Sequence, residues 1–323
     1  MKIFLQARLE KFQSVGCVSW VDSTGLAPKL MKKFSPPPDT SKVLENSLNV
    51  SACDASIRNP VEFVPGSVHF CHEFWEKKIL VSCPNKLEML SWIRDGVKIE
   101  PYLNTHTNEV FNGKRVYGHY PPPYAQQNRV PAEFFPWVRS EISKWERNGV
   151  IVRQSESLKA SVILPLTIEP KKPRLIHDAQ YLNLFLKDVP FSMDGVGKIP
   201  QAGWLGMFMF LVDHKSGYHH VGLHHSAWEY FGMEWEGVIY MATTLTFGCK
   251  LSPYIYHSLT EASLGYVRLL ITYTLAPSLA WLDDIWGGNS VISRKLSSLA
   301  QWQSATCECC ISYSKSYILP GTF

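Results

Sequence analysis

The chain has 323 residues, of which 46% are hydrophobic, 13% aromatic and 19% charged, a globular composition with room for two domains. Its net charge of +4 and pI near 8.5 are mildly basic, which suits a nucleic-acid binder with one positive channel without demanding it. Eight scattered cysteines exclude a disulfide scaffold, and Gln6, Arg8, Glu10 and Lys11 interrupt any signal-peptide core, so the expectation is reduced thiols in a cytoplasmic or nuclear protein.

Residues 1–68 carry turn clusters such as Ser35-Pro36-Pro37-Pro38-Asp39 and no sustained period, the pattern of a poorly packed or partly disordered leader. Residues 69–100 are richer in aromatics but hold no recognisable chemistry. The run Gly118-His119-Tyr120-Pro121-Pro122-Pro123-Tyr124 reads as a stiff, extended linker. It divides the chain into 1–118, of unknown role, and 119–323.

Beyond the linker the periodicity sharpens. Pro136 precedes a helix with Val138, Ile142 and Trp145 on one face, closed by Gly149. A strand at 150–152 leads to a hairpin whose turn is Glu169-Pro170-Lys171-Lys172-Pro173. A buried strand at 207–212 ends at Asp213, and another runs from Val238 to Leu245 before Phe247-Gly248. Ser252-Pro253 opens a helix, with Ser252 as N-cap and an apolar face at Ile255, Leu259, Ala262, Tyr266 and Leu269. The apolar window 269–282 is too short for a bilayer span and contains Pro277, so no membrane partner is expected. A strand at 278–282 reaches Asp283-Asp284 and returns through Ile285-Trp286. Strands and helices mix in one domain, which predicts an α+β fold.

Asp213 and the Asp283-Asp284 pair all lie at the ends of apolar strands. Carboxylates there are costly unless a cation neutralises them. Phosphoryl transfer needs such a cluster, because two hard divalent ions take oxygen ligands while a hydroxyl attacks and pyrophosphate leaves. By itself an Asp pair between strands is ordinary turn chemistry. The order of the surrounding motifs separates the two readings.

FLVDHKSGYHHVGL at 210–223 resembles the first palm motif of reverse transcriptases, and TTLTFGCKLSPYIY at 243–256 is similar to their second. LAWLDD at 279–284 resembles their x-x-Asp-Asp motif. PRLIHDAQYLN at 173–183 is similar to their fingers motif, with Arg174, Asp178 and Asn183 at the matching spacings, and CCISYSKSYILPG at 309–321 resembles the fourth palm motif, whose lysine is Lys315. The motifs stand in the family's order. Their wording is closest to retroelements of the gypsy and DIRS-like groups.

The resemblance implies a right-hand polymerase whose fingers and palm contain an antiparallel palm sheet backed by helices, cut off before the thumb. It implies RNA-directed DNA synthesis on a primed RNA or DNA template from deoxynucleoside triphosphates, with two Mg2+ ions, or Mn2+ in substitution. Asp213, Asp283 and Asp284 would be the metal ligands. Tyr218 would exclude a 2′-hydroxyl by clash. Arg174 with Lys171 or Lys172 would hold the triphosphate, Gly248 would let backbone approach the template pair, and Lys315 would protonate pyrophosphate.

Gln180 departs from the pattern, standing where many family members carry arginine. Two rival readings are an RNA-directed RNA polymerase, which Tyr218 disfavours, and an inactive nucleic-acid-binding remnant of the same fold. The histidines at 214, 219, 220, 224 and 225 and the cysteines at 307, 309 and 310 lack ordinary zinc-ligand spacing.

Overall fold

The computed structural model describes residues 64–104, 110–111, 114–115, 120–171, 173–202, 208–270, 277–289 and 313–319. Lys172 lies outside the described residues, as does most of the 1–68 stretch.

From residue 64 the chain runs through short helical turns into α1 (Lys86–Asp95). Trp75, Leu80 and Ile93 from this stretch are almost completely buried, in one core with residues 138–262. Replacing Trp75 by alanine would cost about 3–5 kcal/mol, because so large a void cannot close. Packing is therefore continuous across the Pro-rich segment where the sequence suggests a boundary. The two-residue strands β1 (Val110–Phe111) and β2 (Lys114–Arg115) pair with each other, and β3 (Tyr124–Ala125) follows the prolines.

The amphipathic helix appears as α2 (Phe135–Arg147), with Pro136 in its first turn and Val138 and Ile142 buried. Gly149 closes it at φ 75°, a left-handed conformation that glycine adopts without a Cβ penalty. Next come β4 (Ile151–Arg153) and β5 (Val162–Ile163). The expected hairpin is β6 (Leu166–Ile168) with β7 (Leu175–His177), in register Ile168↔Leu175, so Lys171 lies in its turn. Short helices α3 (Gln180–Asn183) and α4 (Ile199–Ala202) lead to β8 (Phe208–His214). After it come β9 (Gly232–Trp235) and β10 (Val238–Ala242). A mixed five-stranded sheet has the order β3-β5-β9-β10-β4, parallel on the β3-β5-β9 side and antiparallel on the other.

α5 (Leu251–Leu270) buries Ile255, Leu259 and Ala262 as its period demands, while Leu269 is exposed. Ser252 is not its N-cap. The residue lies inside the helix, fully buried, and its hydroxyl donates to the Thr246 carbonyl at 2.7 Å. β11 (Ser278–Trp281), β12 (Asp284–Asn289) and β13 (Tyr313–Leu319) complete a second sheet, fully antiparallel, in the order β11-β12-β8-β13. α5 packs on β11, and Leu279 and Trp286 form a small cluster with Ile199, Ala202, Leu211 and Trp281. Helices and strands thus alternate within an α+β fold. Among the described residues no helix is long and apolar enough to cross a membrane.

The expectation of reduced thiols holds for Cys83 and Cys249, both free, and fails at Cys71, which is disulfide-bonded.

Candidate active site

β8 and β12 pair so that Asp213 faces Asp284 directly across the ladder. Residues opposite each other in an antiparallel pair project to the same face, about 5 Å apart at Cβ. Asp283 is the second of the two residues that turn β11 into β12, since Trp281 and Asp284 are register partners. Its backbone carbonyl accepts the His214 N–H at 2.8 Å, which ties the turn to β8. Asp213 and the adjacent pair Asp283-Asp284, which begins 70 residues further along the chain, are therefore neighbours in space.

The electrostatics show the crowding. Burial pushes the Asp283 carboxyl up to about 6, the Asp284 and Asp213 carboxylates push it the same way, and the Arg174 guanidinium opposes them. Arg174, exposed just after the β6–β7 turn, is thus within electrostatic reach of the acids. Lys171 is exposed in that turn, with its backbone N–H donating to Glu169 Oε1 at 3.3 Å. On the other side of β8 the register sets Lys315 opposite Asp213, after an irregularity between Tyr313 and Lys315.

Tyr218 stands on a 3-10 turn, Gly217–His220, not on a strand. Its ring packs 4.8 Å from Phe247 and edge-on to Tyr256 at 5.6 Å, leaving 9% of the residue exposed. Burial, followed by the nearby Asp283 carboxylate, raises its phenol above the ordinary range. The 210–223 and 243–256 segments are therefore in direct contact.

Gly248 has φ 103°, and a Cβ there would collide with the His177 carbonyl oxygen. The close approach that requires glycine is to β7. Asn183 reinforces this junction from α3: its Nδ2 donates to the Gly248 carbonyl and its Oδ1 accepts the Lys250 N–H, both at 2.9 Å. Sequence spacing placed Asn183 in a motif but gave no hint of this clamp, because the partners are backbone groups. Gln180 shares a small cap with Asp178, whose carboxylate accepts the Gln180 backbone N–H at 3.1 Å and faces Arg129 at 3.3 Å.

The histidines are occupied in packing. His220 accepts from the Ser67 hydroxyl at 2.7 Å and donates to the Lys215 carbonyl at 2.8 Å. His214 bonds the Tyr256 hydroxyl at 2.8 Å, and His219 packs edge-on against Trp145. Burial lowers His214 to about 3 and His219 and His220 to about 4. All three are neutral near pH 7. Among the described residues no group of three or more His, Cys, Asp or Glu is placed to hold a metal ion as it stands. The aspartates nevertheless offer the hard oxygen donors that magnesium takes, and their mutual repulsion is the imbalance that a cation relieves.

No protein-family model matches the chain, and no curated protein matches it. Solved structures do. A foamy viral protease-reverse transcriptase dRH in complex with double-stranded DNA aligns at TM-score 0.54 and 14% identity, over 91% of this chain and 47% of that one. A foamy viral protease-reverse transcriptase in complex with double-stranded DNA aligns at TM-score 0.53 and 15% identity, over 78% of this chain and 52% of that one. The chain spans about half the length of each. Despite the low identity, the chain has a reverse-transcriptase-like fold.

Proposed function

We propose that this chain is the fingers and palm of an RNA-directed DNA polymerase from a retroelement of the gypsy or DIRS-like type, adding deoxynucleotides to a primer on an RNA or DNA template. The observation that carries the reading is the register of Asp213 opposite Asp284, with Asp283 beside them, in a chain with this fold. The antiparallel sheet of β8, β11, β12 and β13 is then the palm. The β6–β7 hairpin with α3 belongs to the fingers.

In this mechanism Asp213, Asp283 and Asp284 hold two Mg2+ ions, or Mn2+ in their place. When bound, such cations supply positive charge at the attacking 3′-hydroxyl and at the departing pyrophosphate. Arg174, with Lys171 or Lys172, binds the triphosphate through its oxygens. Tyr218 presents a ring that leaves no room for a 2′-hydroxyl. Lys315 gives its proton to the leaving pyrophosphate. Gly248 lets the backbone approach the template pair.

The decisive test is primer extension with Mg2+, supplying deoxy- and ribonucleotides separately, for the wild-type chain and Asp213→Asn. The expected outcome is deoxynucleotide addition by the wild type and a loss of at least a thousandfold in the variant, with unfolding unchanged. Extension that survives Asp213→Asn, or a wild type that binds primer–template without extending it, would refute the proposal.

A further inference from the structure

Beneath the acidic turn lies a polar contact that none of the motifs describes. Leu282, the first of the two turn residues, has φ 52°. Two-residue hairpins usually place glycine, asparagine or aspartate at a positive φ, since a side chain crowds the backbone there. A leucine in this conformation persists only when surrounding structure over-determines it.

The structure supplies two restraints on consecutive carbonyls. The Thr260 hydroxyl, on the buried face of α5, donates to the Leu282 carbonyl at 2.8 Å. The His214 N–H of β8 donates to the Asp283 carbonyl at 2.8 Å. The Thr260 hydroxyl also lies 3.1 Å from the Tyr256 carbonyl one helical turn back, the usual resting place of a helical threonine. A hydroxyl has one proton, and the shorter contact is the one to the turn. Tyr256 and His214 are joined side chain to side chain at 2.8 Å, so the two restraints are braced against each other. Thr260 has no exposed surface, so water cannot replace its hydroxyl.

We infer that Thr260 is a positioning residue for the Asp283-Asp284 pair: its hydroxyl, projecting from α5, holds the left-handed turn that aims both carboxylates toward Asp213. The inference rests on the polymerase reading for its catalytic consequence, but its structural part stands independently. Neither a turn propensity nor a core requirement accounts for the hydroxyl, because valine fills the same volume.

The test compares Thr260→Val with Thr260→Ser in the full chain. Two readouts are needed: steady-state primer extension, and hydrogen exchange of the peptide spanning 279–285. Thr260→Val is expected to lower kcat at least tenfold with KM for the nucleotide within twofold, and to speed exchange at the turn at least tenfold. Thr260→Ser should restore both to within threefold of wild type. Wild-type exchange and turnover in Thr260→Val would overturn the inference, as would equal losses in the two variants, which would assign the effect to the methyl group. If the wild type extends no primer, the polymerase reading fails, and the exchange arm alone still decides whether Thr260 holds the turn.

Discussion

His177 makes the acid stability of this protein a measurable test of its packing. The imidazole is 2% exposed on β7, its Nε2–H donates to the Gly232 carbonyl at 2.8 Å, and its Nδ1 has no partner among the described residues. Burial lowers its pKa from 6.5 to about 4, with the hydrogen bond to Gly232 and the nearby Asp178 opposing the fall. The unfolded chain therefore takes up a proton below pH 6.5 that the folded chain refuses until about pH 4. Stability is present above the unfolded value and is lost as the pH falls through this window. At 1.36 kcal/mol for each pKa unit, lowering the pH from 7.5 to 4.5 removes about 2.5 kcal/mol through this residue alone.

His177→Phe deletes the titration while keeping a ring of similar size. The Gly232 carbonyl still accepts the Leu164 N–H at 2.8 Å, so it is not orphaned. At pH 7.5 the lost hydrogen bond and the removed unpaired nitrogen roughly cancel, within about 1 kcal/mol. Urea unfolding followed by tryptophan fluorescence at pH 7.5 and 4.5 gives the comparison directly. The variant should lose about 2–3 kcal/mol less than wild type between the two values. Equal losses would refute the reasoning, because they would mean that the ring is hydrated or already protonated in the folded state.

Gly248→Ala should destabilise the chain by about 2 kcal/mol or more, from the positive φ and the collision with the His177 carbonyl, and should lower the urea midpoint without changing its slope. Tyr218→Ala should raise ribonucleotide use relative to deoxynucleotide by roughly tenfold or more, measured as the ratio of kcat/KM in primer extension. An unchanged ratio would show that the ring does only the core packing seen against Phe247 and Tyr256.

Much of the local structure was legible from period and punctuation. The spacing of Val138 and Ile142, the glycine at 149 and the proline-flanked turn at 169–173 each specify a local conformation, and local preferences sufficed to place α2, β4 and the β6–β7 hairpin. Ser252 shows where such reasoning fails: a Ser-Pro pair satisfies the N-cap rule, but the Thr246 carbonyl, brought near by the preceding loop, claims the hydroxyl. His219 and His220 fold within a 3-10 turn in which the Ser67 hydroxyl and the Lys215 carbonyl satisfy His220, partners that residue spacing does not reveal.

The candidate acids were visible by themselves as charges at the ends of apolar strands, and one-dimensional spacing carries that much. Their convergence was not. Cross-strand register depends on which strands meet, and only the folded sheet, with β12 and β13 flanking β8, sets Asp284 and Lys315 opposite Asp213. The supports of the site, Thr260 on Leu282 and Asn183 on Gly248, bond to backbone carbonyls of residues distant in the chain. Such bonds leave no pattern in side-chain identity, because every residue offers the same carbonyl, and so tertiary structure alone decides them.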